Sequence, residues 1–100
     1  MIKRGEDCGT MAEVRAGVDA LDAEIVALLA RRFAYMAAAA RIKQERSAVR
    51  DEARKAQVIA NAATHARAHG IPETAVTALW DRLVEASIAY ELALFDRKPG

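Results

Sequence analysis

Arg32 stands where an apolar side chain would be expected. It falls between Leu28 and Tyr35 on a run of residues spaced for one face of a helix. A guanidinium taken out of water is costly unless it is paired or bound to an anion. Lys43 follows eleven residues later, which is about three helical turns. Both cations then point the same way, roughly 16 Å apart along the axis, and two long basic side chains so placed can close on a small anion between them. Arg15 precedes Arg32 by seventeen residues, roughly 25 Å at the same rise, and cannot reach the same small ligand within one chain. In an antiparallel pair of chains the partner's copy of that arginine swings alongside Arg32, so the geometry predicts binding sites shared between subunits. A buried structural ion pair is the alternative reading of Arg32.

Further along, Ser87 and Glu91 are spaced i, i+4 on the face that carries Trp80, Val84 and Phe95. A serine in such a stripe commonly fills space and bonds back to its own helix, whereas a glutamate there needs a partner. Asp51, Arg54 and Lys55 form another charged group, which also reads as a solvated helix start. His65 and His69 have a spacing that suits a metal, but no third ligand accompanies them. There is no Ser/His/Asp constellation, phosphate-cradling glycine loop or cysteine cluster. An enzyme built on this sequence works without a nucleophile, metal or cofactor.

Helices must position these groups. Residues 1–9 read as a flexible lead, followed by a domain over 10–98. Thr10-Met11-Ala12-Glu13 is a capping-box pattern, in which Thr and Glu satisfy each other's backbone donors. Val14, Val18, Leu21, Ile25, Leu28, Arg32, Tyr35, Ala39 and Ile42 alternate steps of four and three, the spacing of a helix packed along another helix. The spacing predicts a first helix over about 11–46. A second starts near Asp51 and reaches His69, with Gly70 suited to the position just past its end. Pro72 suits the first turn of a third helix, whose stripe of Val76, Trp80, Leu83, Ser87, Tyr90 and Leu94 ends near Arg97. No segment alternates as a strand does.

Composition narrows the functional classes. A chain of 100 residues is one domain's worth. A net charge of +1 and basic residues dispersed along the chain argue against nucleic-acid binding. No apolar run approaches a membrane span, and no apolar segment follows Lys3 and Arg4 as in a secretory signal. The single cysteine, Cys8, fits a reducing compartment. Together these features predict a cytoplasmic protein. A helix of that predicted length is roughly 54 Å long, against a radius of gyration near 13 Å for a compact domain of this size. Its apolar stripe therefore calls for a partner, met most simply by a second copy lying antiparallel. A break near Gly17 or Ala37–Ala40 is the alternative.

Taken together, Arg15, Arg32, Lys43, Asp51 and Arg54, with Val14-Arg15, Leu21-Asp22 through Leu28-Leu29, Ala30-Arg31-Arg32, Ile42-Lys43, Val49-Arg50-Asp51, Ser87 and Glu91, make the chain resemble the small all-helical, AroQ-type chorismate mutases. It also resembles their relatives, the isochorismate-pyruvate lyases. The resemblance covers roughly residues 7–96. It implies an all-α fold of three-helix protomers with a long N-terminal helix, paired as an intertwined antiparallel homodimer with two sites across the interface. By that resemblance Arg32 and the partner's Arg15 bind the substrate's two carboxylates, assisted by Arg54 and Ser87. Lys43 and Glu91 donate to the enolpyruvyl ether oxygen, and Asp51 holds the ring hydroxyl. The rearrangement of chorismate to prephenate is pericyclic. It needs the reactive conformer held and the charge growing on the ether oxygen stabilised, which fixed cations and donors accomplish.

Two positions depart from the bacterial mutases. Position 91 is usually Gln there, whereas this chain has Glu91, as fungal mutases do; a carboxyl group donates only when protonated. Lys55 stands where mutases usually have a Glu that helps bind the ring hydroxyl. Asp51 and Val49-Arg50 look more like the mutases. Glu6-Asp7-Cys8, and Tyr35 with Ala38-Ala39 before Arg41-Ile42-Lys43, look more like the lyases. The resemblance therefore implies a chorismate mutase of aromatic amino acid (Phe/Tyr) biosynthesis, with the lyase that makes salicylate and pyruvate for siderophores as the alternative. A reading of another class is a non-catalytic helical dimer, in which the cations serve only as ion pairs or an effector site. Against it, the facing stripes carry few acidic residues to neutralise Arg32 and Lys43.

Overall fold

The computed structural model describes residues 1–99, and among them every regular element is helical. Three α-helices follow one another: α1 Met11–Ile42, α2 Glu52–Ala68 and α3 Glu73–Asp96. Short 3-10 turns occupy Gly5–Asp7 and Arg46–Ala48. The chain divides into two compact units, Met1–Ala34 and Tyr35 onward, so that α1 begins in one and ends in the other.

In the first unit the expected capping box forms. The Glu13 amide donates to Thr10 Oγ1 at 3.2 Å, and the Thr10 amide donates to Glu13 Oε1 at 3.1 Å. Glu13 also receives the Gly9 amide and pairs with Lys3. The Lys3 ammonium, followed by the Gly9 amide, holds its carboxyl below the usual range. Residues 1–9, read as a lead, thus lie against the first turns of α1. A Cβ at Gly17 would meet the Lys3 carbonyl oxygen at 3.6 Å, an ordinary contact. Lead and helix border a groove of about 490 Å³ lined by Ile2, Cys8, Val14, Val18 and Leu21 among others.

In the second unit α2 and α3 pack on each other. Ala62 and Ala66 are buried on α2, where small side chains let the helices approach closely, and Val84 and Ile88 are buried on α3. Val49, Val84 and Ile88 form a core against which Val58, Leu92 and Phe95 pack. Asp51 is the N-cap of α2, its Oδ1 accepting the Arg54 amide at 3.0 Å. The helix ends in a Schellman arrangement: Ile71 N–H reaches Ala66 O at 3.1 Å and Gly70 N–H reaches Arg67 O at 3.2 Å. Gly70 takes φ +68°, a conformation that a side chain disfavours. Pro72 lies at the N-cap of α3, one residue before its first turn.

Two expectations are corrected. α1 ends at Ile42 rather than near residue 46. The ammonium of Lys98 donates to the carbonyls of Ala40 at 2.9 Å and Arg41 at 3.5 Å, supplying donors that another helical turn would otherwise provide. Of the predicted α3 stripe, Ser87 is buried, Val76, Trp80, Leu83 and Leu94 are half-buried and Tyr90 is exposed, so within the single chain the most buried face lies to one side of that stripe. Val84, Ser87, Ile88 and Glu91 are the buried residues, and Tyr90 is exposed. The face chosen is the one that meets α2 and Val49, a tertiary condition that a regular four-three count does not contain.

Candidate active site

Lys43 is the first residue past α1, and its amide still closes a helical bond to Ala39 O at 2.9 Å. Its ammonium lies 2.8 Å from Glu91 Oε2. Glu91, on the buried face of α3, is only 4% exposed. A carboxyl group at that depth needs a charge-assisted partner, and Lys43 is that partner. Ser87 sits one turn earlier on the same face and is equally buried; its hydroxyl donates to Leu83 O at 2.7 Å. In this rotamer the Ser87 proton is committed to its own helix, as a serine in a core stripe commonly is.

The start of α2 presents Asp51 and Arg54, both exposed. The Arg54 guanidinium donates to Gln57 Oε1 at 2.8 Å, along its own helix. Lys55, next to it, is not part of a solvated helix start: its ammonium bridges Glu85 at 2.8 Å and Asp81 at 3.1 Å on α3. Arg50 grips the same Glu85 through both terminal nitrogens, at 2.7 and 3.1 Å. The Arg50 guanidinium first, and the Lys55 ammonium second, draw the Glu85 carboxyl down to about 2. Glu85 and Asp81 in turn raise the Lys55 ammonium. Glu85 and Glu91 are six residues apart, about 120° around the helix. Arg50 and Lys55 therefore hold one side of α3, and Lys43 meets another.

Arg46 completes the set. Its guanidinium binds Asp96 at 2.8 and 3.2 Å. The Asp96 hydrogen bond raises Arg46, and the Arg46 guanidinium lowers the Asp96 carboxyl. Three basic residues between α1 and α2 (Lys43, Arg46 and Arg50) thus each meet an acid of α3.

The structure brings Lys43, Glu91 and Ser87 to one part of the second unit and sets Asp51 and Arg54 at the start of α2. Arg15 and Arg32 lie on α1 in the first unit, Arg15 exposed and Arg32 half-buried. One expectation fails at Lys43, which does have an acid to neutralise it. The roles of Glu85, Arg46 and Lys98 were missed. The sequence does carry a faint signal for the first two, because the basic run at 46, 50 and 55 is matched by acids at 81, 85, 91 and 96. Lys98 has none, since its partners are backbone carbonyls fifty-five or more residues away.

The arrangement offers a cation beside a buried carboxyl group, able to place two donors on one oxygen when the carboxyl is protonated, with further basic and hydroxyl groups nearby in sequence. The chain matches the model of the chorismate mutase type II family over residues 14–92. This protein belongs to that family, an enzymatic one. The chain is also similar to the isochorismate pyruvate lyase of Pseudomonas aeruginosa, with 29% identity over 99 residues, covering 99% of this chain and 98% of the relative. Among the described residues, no helix is long and apolar enough to cross a membrane.

Proposed function

We propose that this protein is a chorismate mutase that converts chorismate to prephenate for aromatic amino acid biosynthesis, acting as a homodimer with shared sites. The observation that carries the reading is the 2.8 Å contact between Lys43 and the buried Glu91. Bond breaking in the substrate places negative charge on the enolpyruvyl ether oxygen. The Lys43 ammonium and protonated Glu91 stabilise that oxygen from fixed positions. Arg32 and the partner's Arg15 clamp the two carboxylates and hold the reactive conformer, with Arg54 and Ser87 assisting. To assist, the Ser87 hydroxyl turns away from the Leu83 carbonyl. Asp51 caps α2 through Oδ1 and accepts the ring hydroxyl through Oδ2, so one carboxylate serves both tasks. Lys55, a donor with no lone pair to offer, does not replace the usual acid, and its ion pairs turn it to Glu85 and Asp81, which leaves Asp51 as the hydroxyl acceptor.

A second reading is favoured by the likeness to the Pseudomonas aeruginosa lyase. Isochorismate carries its hydroxyl elsewhere on the ring, and its breakdown to salicylate and pyruvate is also pericyclic and uses the same cations. A paired assay of purified protein with chorismate and with isochorismate, with products identified, tests both. Prephenate from chorismate is expected. Salicylate and pyruvate from isochorismate, with chorismate turned over poorly, overturns the mutase in favour of the lyase. Loss of neither substrate leaves the non-catalytic dimer.

A further inference from the structure

We propose that Lys98 is a positioning residue for Lys43, a role that rests on the proposed function of Lys43 as donor to the ether oxygen. The Lys98 ammonium donates to the carbonyls of Ala40 at 2.9 Å and of Lys43 itself at 2.7 Å, with Arg41 O at 3.5 Å. Its charge also lies 4.4 Å from the centre of the Phe95 ring, within the range of a cation–π contact. One side chain thereby satisfies the final carbonyls of α1, complements the negative end of that helix's dipole, and fixes the peptide from which the Lys43 side chain departs.

The second anchor is independent. Arg46, three residues on, binds Asp96, two residues before Lys98. The segment that follows α1 is therefore tied to the end of α3 at two points, and neither tie uses the Lys43 side chain. Lys43 has four side-chain torsions and a half-exposed stem, so the ion pair with Glu91 alone leaves its backbone free to shift. A displacement of the order of 1 Å at a charge-stabilising group costs roughly a hundredfold in rate. Lys98 removes that freedom without touching the substrate.

The test is a double-mutant cycle on the full chain, using whichever of chorismate and isochorismate the unsubstituted protein consumes. Lys98→Met keeps the aliphatic stem over Phe95 and removes the ammonium. It is expected to lower kcat at least tenfold, to leave KM within about twofold, and to increase amide hydrogen exchange around residues 43–46. In a Lys43→Ala background the same substitution is expected to change kcat little, because the group it positions is gone. Lys98→Arg, which keeps the charge, is expected to recover part of the loss. Equal kcat in Lys98→Met and the unsubstituted protein would overturn the proposal, as would a full further loss in the Lys43→Ala background. No turnover of either substrate by the unsubstituted protein would overturn the enzymatic reading and this role with it. That outcome is distinct from an active protein indifferent to residue 98.

Discussion

At the residue scale, the unusual choice is a carboxylic acid at position 91. With Lys43 at 2.8 Å, Glu91 as a carboxylate makes a good ion pair but turns a lone pair toward any oxygen brought to the same place. Only the protonated acid donates there. Activity is therefore expected to respond to replacement of Glu91 by a side chain that donates without first gaining a proton. A Glu91→Gln variant always carries a donor, and its kcat near neutral pH is expected to equal or exceed that of the unsubstituted protein; a loss of about tenfold or more would show that donation from residue 91 is not what the reaction uses. Ser87 and Asp51 show the same economy, each bonding to its own helix by a contact that sequence alone assigns to structure.

At the scale of elements, α2 meets α3 through small apolar residues, Ala62 and Ala66, and through the charges that converge on Glu85. With its carboxyl drawn from 4.5 down to about 2 by Arg50 and then Lys55, Glu85 stays ionised in the folded protein at pH values where the unfolded chain binds a proton. Its contribution to stability is complete above about pH 4.5 and is lost as pH falls toward 2. Urea melts across that window are expected to show a shallower acid decline for Glu85→Gln than for the unsubstituted protein. A remaining slope is expected too, because Glu13 and Asp96 are also held low. An identical acid decline in the two proteins would show that the clamp does not differ between folded and unfolded chains. Arg50 and Glu85 are 45% and 39% exposed, so salt is expected to weaken their pairing.

For the whole molecule, the leading fact is what the chain leaves uncovered. Val18, Leu21, Ile25, Leu28 and Tyr35, all on the long stripe of α1, are 50–73% exposed. Apolar exposure sustained along a helix of 32 residues marks an interaction surface, and it supports the proposed pairing with a second copy, whose own α1 has matching spacing. If each site takes Arg32 from one subunit and Arg15 from the other, two inactive proteins can repair each other. Arg15→Ala and Arg32→Ala, unfolded and refolded together in equal amounts, are expected to regain about a quarter of the unsubstituted activity. Half of the pairs formed at random are mixed, and each mixed pair holds one intact site. No recovery from mixtures that sedimentation shows to be dimeric would place both arginines in one subunit's contribution to the site.

Legible in the residues alone were the helical class, the caps at Thr10 and Asp51, the stop at Gly70 and the place of Glu91 on an apolar face. These are local matters: backbone donors, glycine's tolerance of positive φ, and a period near 3.6 act over a few residues and are written in order along the chain. The sequence also carried enough of the family's pattern to place the chain within the type II chorismate mutases. Tertiary structure decided which face of α3 is buried, that α1 stops at Ile42, and that Lys55 turns to Glu85 and Asp81 rather than to solvent. These outcomes depend on groups far apart in sequence, thirty residues for Lys55 and Glu85 and fifty-eight for Lys98 and Ala40. A charged side chain has several partners within its reach in sequence space, and only the folded chain, by desolvating some and presenting others, selects among them.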